Sequence, residues 1–576
     1  MWKFFLFIIR FIENGNKVYI SNENKIKELF MKKILRKHFH LIFIGVFIGI
    51  LQMFALTKVQ FIKGQVLNVA MQKNMNELPQ VIFKLFAAIF IMAIFGYLFS
   101  FVNCVFMERS SKSLRELFFQ SFLGCSYKKY FYLDEGELMA KYSKEISVIE
   151  QNCFSLVGTL VQMVLQILFV SAALFYLNSW LAVISFVILV APVLVPKIFQ
   201  KKVSNRSYDK MSKVEKNISV VNGILNGFEI IKNFGIEKNI FENFKKSNDN
   251  LMDAENEYEK SYAVSTGVSF AFSLGSQALI MIIAGFYIYF GFLKAGDFFT
   301  IAGLIASLRV PLYWISTMFQ TLIATKPIRK SVFAFIENNI PMRETAICNP
   351  LDNQQDLSVF VEDLSYAYED KNFILDHIHL KFEANKKYLM IGESGCGKST
   401  LMNLLLNYDE LDSGRISVNG IDIKELSDME KIITIARQEA VIFSGTIRDN
   451  LTLYDTSISK DEFLETMLKK VGLNKFVTEG LDYILEEDGI NLSGGEKKRF
   501  SLARALIRET PILILDEPLA NLDGENMEKV ENLISDIKNK LVIVISHQVS
   551  DKLRQKFDFV MELKGGRINV ETLPEA

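Results

Sequence analysis

Residues 151–196 form a run of 46 residues without one acidic or basic side chain. A helix crosses the hydrocarbon core of a bilayer with about 20 apolar residues, so this run is too long for one crossing and long enough for two. Asn178 and Ser179, followed by Trp180, supply a turn between them. Three other stretches, 41–57, 85–107 and 261–293, are equally free of charge, and 298–325 carries only Arg309. Six spanning helices are therefore predicted, and an even number returns the chain to the side on which it started.

Composition agrees, with half of the 576 residues apolar and 49 of them Phe. Lys plus Arg equals Asp plus Glu at 65 each, so no global field favours nucleic acid or another charged partner, and nucleic acid is not expected as one. Charge placement carries the information instead. Six Lys or Arg lie within 24–38, seven within 108–150 and twelve within 197–260, against five in the alternate loops. Basic residues accumulate in cytoplasmic loops, which places the N-terminus and everything after about 325 in the cytosol. The inner loops are long enough for helices that continue past the bilayer. Residues 2–12 are apolar but carry Lys3 and Arg10 and lack a small-residue cleavage site, so an interfacial segment over 1–24, or a misplaced start codon, fits better than a removable signal. The five cysteines are scattered, with no CxxC pair or Cys/His cluster, and read as reduced thiols.

Over 336–357 the composition shifts toward Asn, Asp, Gln and Pro and reads as a linker. Beyond it, short apolar strands at 388–391, 512–515 and 541–545 alternate with helical stretches, the pattern of a largely parallel α/β sheet over 358–576.

Chemistry concentrates in this second half. The segment Gly392-Glu393-Ser394-Gly395-Cys396-Gly397-Lys398-Ser399-Thr400 matches the P-loop pattern, after a strand and before a helix. Glycines let backbone N–H groups wrap phosphates, the helix presents its positive end, Lys398 reaches the terminal phosphates and Ser399 ligates magnesium. Cys396 inside this loop predicts that a bulky thiol reagent blocks ATP binding and that ATP protects. About 120 residues on, Ile512-Leu513-Ile514-Leu515 ends in Asp516 and Glu517. Asp516 would hold the magnesium shell and Glu517 would orient or deprotonate the attacking water.

With Leu492-Ser493-Gly494-Gly495-Glu496 ahead of a helix, the chain resembles the ABC ATPase family. In that family the signature segment of one subunit caps the ATP held by the other subunit's P-loop, and Ser493, Gly494 and Gly495 suit a terminal phosphate at a helix N-terminus. The family usually has Gln where this chain has Glu496, and an acid in a first helical turn is favourable in its own right. The resemblance further implies that Tyr368 stacks on adenine, that Gln438 in Ala436-Arg437-Gln438 reads magnesium and contacts the membrane domain, that Asp523 is a dimer-contacting loop acid, and that His547 contacts the terminal phosphate. It reaches the membrane half, where 131–145 and 223–237 look like loops that dock on the ATPase domains, and Gly296-Asp297 and Pro311 suit the final span.

What the resemblance implies is an exporter-type half-transporter: a six-span α-helical transmembrane domain over 25–335, then a cytosolic P-loop ATPase domain, in the plasma membrane. With one P-loop and one signature per chain, the working unit would be a homodimer or a heterodimer with a related half-transporter, driven by ATP and Mg2+ through alternating access. An importer on the same fold, an ATP-gated regulator or channel, and a soluble ABC protein are the rival readings, the last opposed by the six spans. The cargo is not legible. Arg309, midway along the last span, is placed in the substrate cavity, and Gln162 and Gln166, one turn apart, are read as interhelical hydrogen bonders.

Overall fold

A computed structural model describes residues 33–572 apart from 126, 132, 134, 340–355, 368–372, 394, 427–428, 456, 459, 487–488, 521–523 and 548–550. The chain divides into two compact units, one built from residues up to 124 and from 133–340, the other from 125–132 and 341 onward.

The first unit is helical throughout. Its long helices are α1 (Phe39–Met71), α2 (Leu78–Leu123), then, after the short α3 (Tyr127–Phe131), α4 (Glu135–Leu177), α5 (Ser179–Asn226) and, after the short α6 (Phe228–Phe234), α7 (Glu237–Tyr289) and α8 (Ala295–Ala324), followed by α9 (Lys326–Asn339). Six of these stand where the charge-free runs predict spans. Among the described residues α1, α2, α4 and α7 are long and apolar enough to cross a membrane, while α5 and α8 open with the shorter apolar pieces Ser179–Leu189 and Ala295–Leu308. The predicted break inside the longest apolar run falls at Asn178, which is extended (φ −161°, ψ 116°) and caps α5 by accepting from the Leu181 N–H.

At about 1.5 Å per residue the 48 residues of α5 and the 53 of α7 each run some 70–80 Å, more than twice a bilayer core. Their polar stems are tied by Arg206 to Glu257 at 3.3 Å and Lys210 to Glu255 at 2.6 Å. Within the apolar part, Val170, Leu174, Leu181, Ile280, Ala284 and Ile305 form a shared core, whereas α2 turns Phe83, Phe86, Phe90 and Phe101 outward, a face suited to an apolar surrounding. Small residues bring helices together: a Cβ on Gly64 would lie 2.4 Å from the Gly296 carbonyl oxygen, and one on Gly296 would lie 2.2 Å from that of Gly64. The Gly296 N–H also donates to Asn68 Oδ1 at 2.8 Å. Gln166 Nε2 donates to the Ser307 carbonyl at 2.8 Å, the interhelical bond expected of it. Pro311 lies within α8; the side chain of Arg309 lies outside the described residues. Helix α9 continues through 336–339, into the stretch whose composition reads as linker, because Ile336 and Asn339 are buried.

The second unit carries two main sheets. The antiparallel sheet has the order β2 (Phe373–Phe382), β1 (Val359–Ala367), β4 (Ser413–Val418), β5 (Ile421–Asp422). The larger runs β12 (Arg567–Thr572), β11 (Phe559–Lys564), β3 (Lys387–Gly392), β10 (Leu541–Ile545), β9 (Ile512–Asp516), β6 (Ile433–Ala436), and β7 (Gly445–Thr446) pairs with β8 (Ile484–Leu485) apart from both. From β11 to β6 every neighbour is parallel. Such strands bury both faces: Ile512 and Ile514 pack into one core with Leu401 and Leu405, Leu513 and Leu515 into the other with Phe476 and Phe500. That is why they read as unbroken apolar runs and not as alternating ones.

Candidate nucleotide site

In a parallel sheet the carboxyl ends of adjacent strands open on one crevice, and the order β3-β10-β9-β6 puts four sequence-predicted segments there. The P-loop leaves β3, His547 follows β10, Asp516 ends β9 with Glu517 after it, and Gln438 stands two residues past β6. In register, Ile545 of β10 pairs with Met390 on one side and Asp516 on the other, and Ala436 pairs with Leu515.

Two positions of the loop call for glycine. Gly395 and Gly397 have φ of +81° and +106°, and a Cβ at Gly397 would sit 2.8 Å from Ile374 Cγ2. Lys398 opens α10 (Lys398–Leu405) and is buried, its Nζ donating to the carbonyls of Gly392 and Glu393 at 2.8 Å each. Its ammonium is thus held by its own loop, poised over the space the loop encloses. Ser399 is exposed beside it and Thr400 is buried. Cys396 lies against Gly392, with Nζ of Lys398 3.8 Å from its sulfur. Ser394, Tyr368 and Asp523 lie outside the described residues.

Glu517 has a left-handed backbone (φ +48°), costly for a residue with a Cβ and stabilised here by its N–H donating to the Ile545 carbonyl at 2.9 Å. The turn aims the carboxylate across the crevice. Gln438 Nε2 donates to Glu517 Oε2 at 2.7 Å, and His547 Nε2 lies 3.0 Å from Glu517 Oε1. Burial pushes the Asp516 carboxyl above its ordinary value and Glu517 adds to the push, while Arg437, Lys398 and His547 oppose it. A half-buried carboxyl at this strand end is well placed to meet a divalent cation. Ser399, Asp516 and Gln438 supply a hydroxyl, a carboxylate and an amide oxygen, a hard-donor set that suits magnesium shared with phosphate.

The segment 493–495 opens α11 (Gly494–Ile507) with a reciprocal capping box: the Ser493 N–H donates to Glu496 Oε2 at 2.7 Å and the Glu496 N–H to Ser493 Oγ at 3.2 Å. This is the physical reason Glu can stand where the family has Gln. A Cβ on Gly494 would meet nothing within 4 Å, so the space beside this helix start is open.

Two arginines that brace segments of the site carry no signal that sequence reasoning used. Arg504 of α11 donates from Nη2 to Asn450 Oδ1 at 2.6 Å and also reaches the Asn450 and Val441 carbonyls; burial pushes its guanidinium down to about 10. It fastens the signature helix to the segment that follows Gln438. Arg437 is the other, and only its place beside Gln438 could have pointed to it.

A bundle of membrane-length helices joined to a P-loop sheet defines an ATP-dependent membrane protein of the transport class. Family models agree: one described as ABC transporter transmembrane region matches residues 42–312, and one described as ABC transporter matches 375–520. The chain is 27% identical over 425 residues to an ATP-dependent lipid A-core flippase of Desulfotalea psychrophila, covering 72% of this chain and 73% of that one. It is 28% identical over 433 residues to ABC transporter B family member 1 of Dictyostelium discoideum, covering 72% of this chain but only 46% of that protein, so the chain spans less than half of that relative. A solved bacterial Atm1-family ABC exporter with ATP bound superposes with a TM-score of 0.78 at 20% identity, over 93% of this chain and 95% of that one. The chain belongs to the ABC transporter superfamily, and the sequence holds one membrane-spanning region and one ATPase domain of that family.

Proposed function

We propose that two copies of this chain, or this chain and a related half-transporter, form an ATP-driven exporter. The observation that carries the reading is the Glu517 carboxylate held between Gln438 and His547 at the mouth of the P-loop. In this arrangement Lys398 and the loop amides bind the phosphates, and Glu517 accepts the proton of the attacking water. His547 orients that carboxylate and meets the terminal phosphate. Ser399, Asp516 and Gln438 would hold a magnesium ion, whose charge offsets the negative charge that builds on the phosphate oxygens. Tyr368 is assigned to adenine, Asp523 to the dimer contact, and Ser493, Gly494 and Gly495 of one copy to the ATP bound by the other, because one chain has a single P-loop and a single signature.

Shared ATP favours the closed pair and hydrolysis releases it, so the two states differ in their contacts as a driven conformational change requires. The surplus of basic residues over 24–38, 108–150 and 197–260 supports a cytosolic ATPase unit. Similarity to lipid A-core flippases supports export over import. The test is Mg2+-dependent ATP hydrolysis by the chain alone in lipid, wild type against Glu517→Gln. Turnover in the first and ATP binding without turnover in the second supports the assignment and shows that one kind of chain suffices. Equal hydrolysis by both would remove Glu517 from its role.

A further inference from the structure

A cation and two aromatic rings sit at the edge of the hydrolytic site without a part in the scheme above. Tyr127 opens α3, in the short segment 125–132 that groups with the ATPase unit. Its ring lies on that of Tyr408, centroids 4.1 Å apart and planes 19° from parallel. The guanidinium carbon of Arg437 is 5.6 Å from the centre of the Tyr127 ring and 5.7 Å from that of Tyr408, so one cation borders both rings. Its Nη2 donates to Asn403 Oδ1 at 2.8 Å, and Asn403 belongs to α10, the helix that the P-loop opens. A planar, delocalised and weakly hydrated guanidinium can stack and hydrogen-bond together, which a lysine ammonium does less well.

Next in sequence is Gln438, whose amide nitrogen holds one oxygen of Glu517. Because a peptide unit is stiff, fixing the Arg437 side chain limits where Gln438 can start. The P-loop helix, the α3 segment and the glutamine beside the general base thus meet at one side chain, all within one unit. Arg437 also lies close enough to Asp516 to oppose the effect of its burial.

We propose that Arg437 is a positioning residue for ATP hydrolysis: held by Tyr127, Tyr408 and Asn403, it sets the backbone from which Gln438 restrains Glu517. The inference rests on the hydrolytic reading of Glu517.

The experiment measures kcat and the KM for ATP in the full chain in lipid, for Arg437→Gln, Arg437→Lys, Tyr127→Ala, Tyr127→Phe and the double variant Tyr127→Ala/Arg437→Gln, with Glu517→Gln as the control. Arg437→Gln is expected to lower kcat ~10- to 100-fold, the scale of a small misplacement of a catalytic group, with KM nearly unchanged. Arg437→Lys should recover part of the loss. Tyr127→Ala should lower kcat about 3- to 5-fold, the scale of one exposed cation–π contact, and Tyr127→Phe should restore it. The double variant should be no slower than Arg437→Gln alone. Unchanged kcat in Arg437→Gln, or losses that multiply in the double variant, would overturn the proposal. A wild type that hydrolyses ATP beside an inert Glu517→Gln shows that such a failure belongs to Arg437 and not to the site.

Discussion

Glycine serves opposite ends in the two halves of this chain. In the ATPase unit Gly395 and Gly397 take left-handed backbones and leave amides free to face a ligand. In the helical unit Gly64 and Gly296 keep their helices and give up only a side chain, so that two backbones can touch. The first use fixes residue type, spacing and neighbours together, because phosphate geometry demands all three. The second demands only that something small occur at a crossing, and many positions could satisfy it.

That contrast predicts where damage is specific and where it is diffuse. The largest effect belongs to Glu517→Gln, expected to lower turnover ~10²–10⁴-fold while sparing ATP binding; single-turnover hydrolysis and nucleotide binding on the same preparation check both. Next is Gly397→Ala, which forces a Cβ against Ile374 at a left-handed position, at about 1–3 kcal/mol, and should weaken ATP binding by tenfold or more on that scale with the helical unit intact. In the other half, Gly64→Val or Gly296→Val should destabilise the helix bundle by about 1–3 kcal/mol, lowering its thermal midpoint while ATP still binds. If either valine variant abolished ATP binding outright, the two uses of glycine would not be separable.

Smaller effects sharpen the comparison inside the site. Since burial raises the Asp516 carboxyl, the folded state holds that proton more tightly than the unfolded chain does. Nucleotide-free stability should therefore fall as pH rises from the ordinary carboxylate value through the raised one. Asp516→Asn removes the buried charge, so it should raise the nucleotide-free midpoint by roughly 2–4 °C while Mg2+-dependent turnover is lost; calorimetry beside an activity assay reads both. Smallest is Glu496→Gln, which keeps the capping box with Ser493 and gives up only an interaction of about 0.3–1 kcal/mol between the acid and its helix end. Its ATPase rate should stay within about twofold of wild type.

The same asymmetry decided what could be read before any fold was known. The P-loop, the Asp516-Glu517 strand end and the signature are short segments whose residues are neighbours in sequence, and the structure brings the first two together with Gln438 and His547 through β3-β10-β9-β6. The six long helices were legible from charge-free runs, down to the break at Asn178. Contacts made by side chains far apart in sequence were not: Arg504 with Asn450, Tyr127 with Tyr408, and Gly64 with Gly296 have no local pattern, since each is specified only once the elements pack. The segment expected to dock on the ATPase unit began at 131, whereas the residues grouped with that unit are 125–132, a shift that loose loop composition could not resolve.

The most direct test of a site shared between copies uses linked pairs of this chain, both carrying Glu517→Gln so that bound ATP is kept. One pair has Lys398→Ala in one copy and Ser493→Ala in the other; the second pair has both changes in the same copy. If the P-loop of one copy closes on the signature of its partner, the first pair retains one intact site and one tightly held ATP, and the second retains none. Equal retention by both pairs would contradict the account.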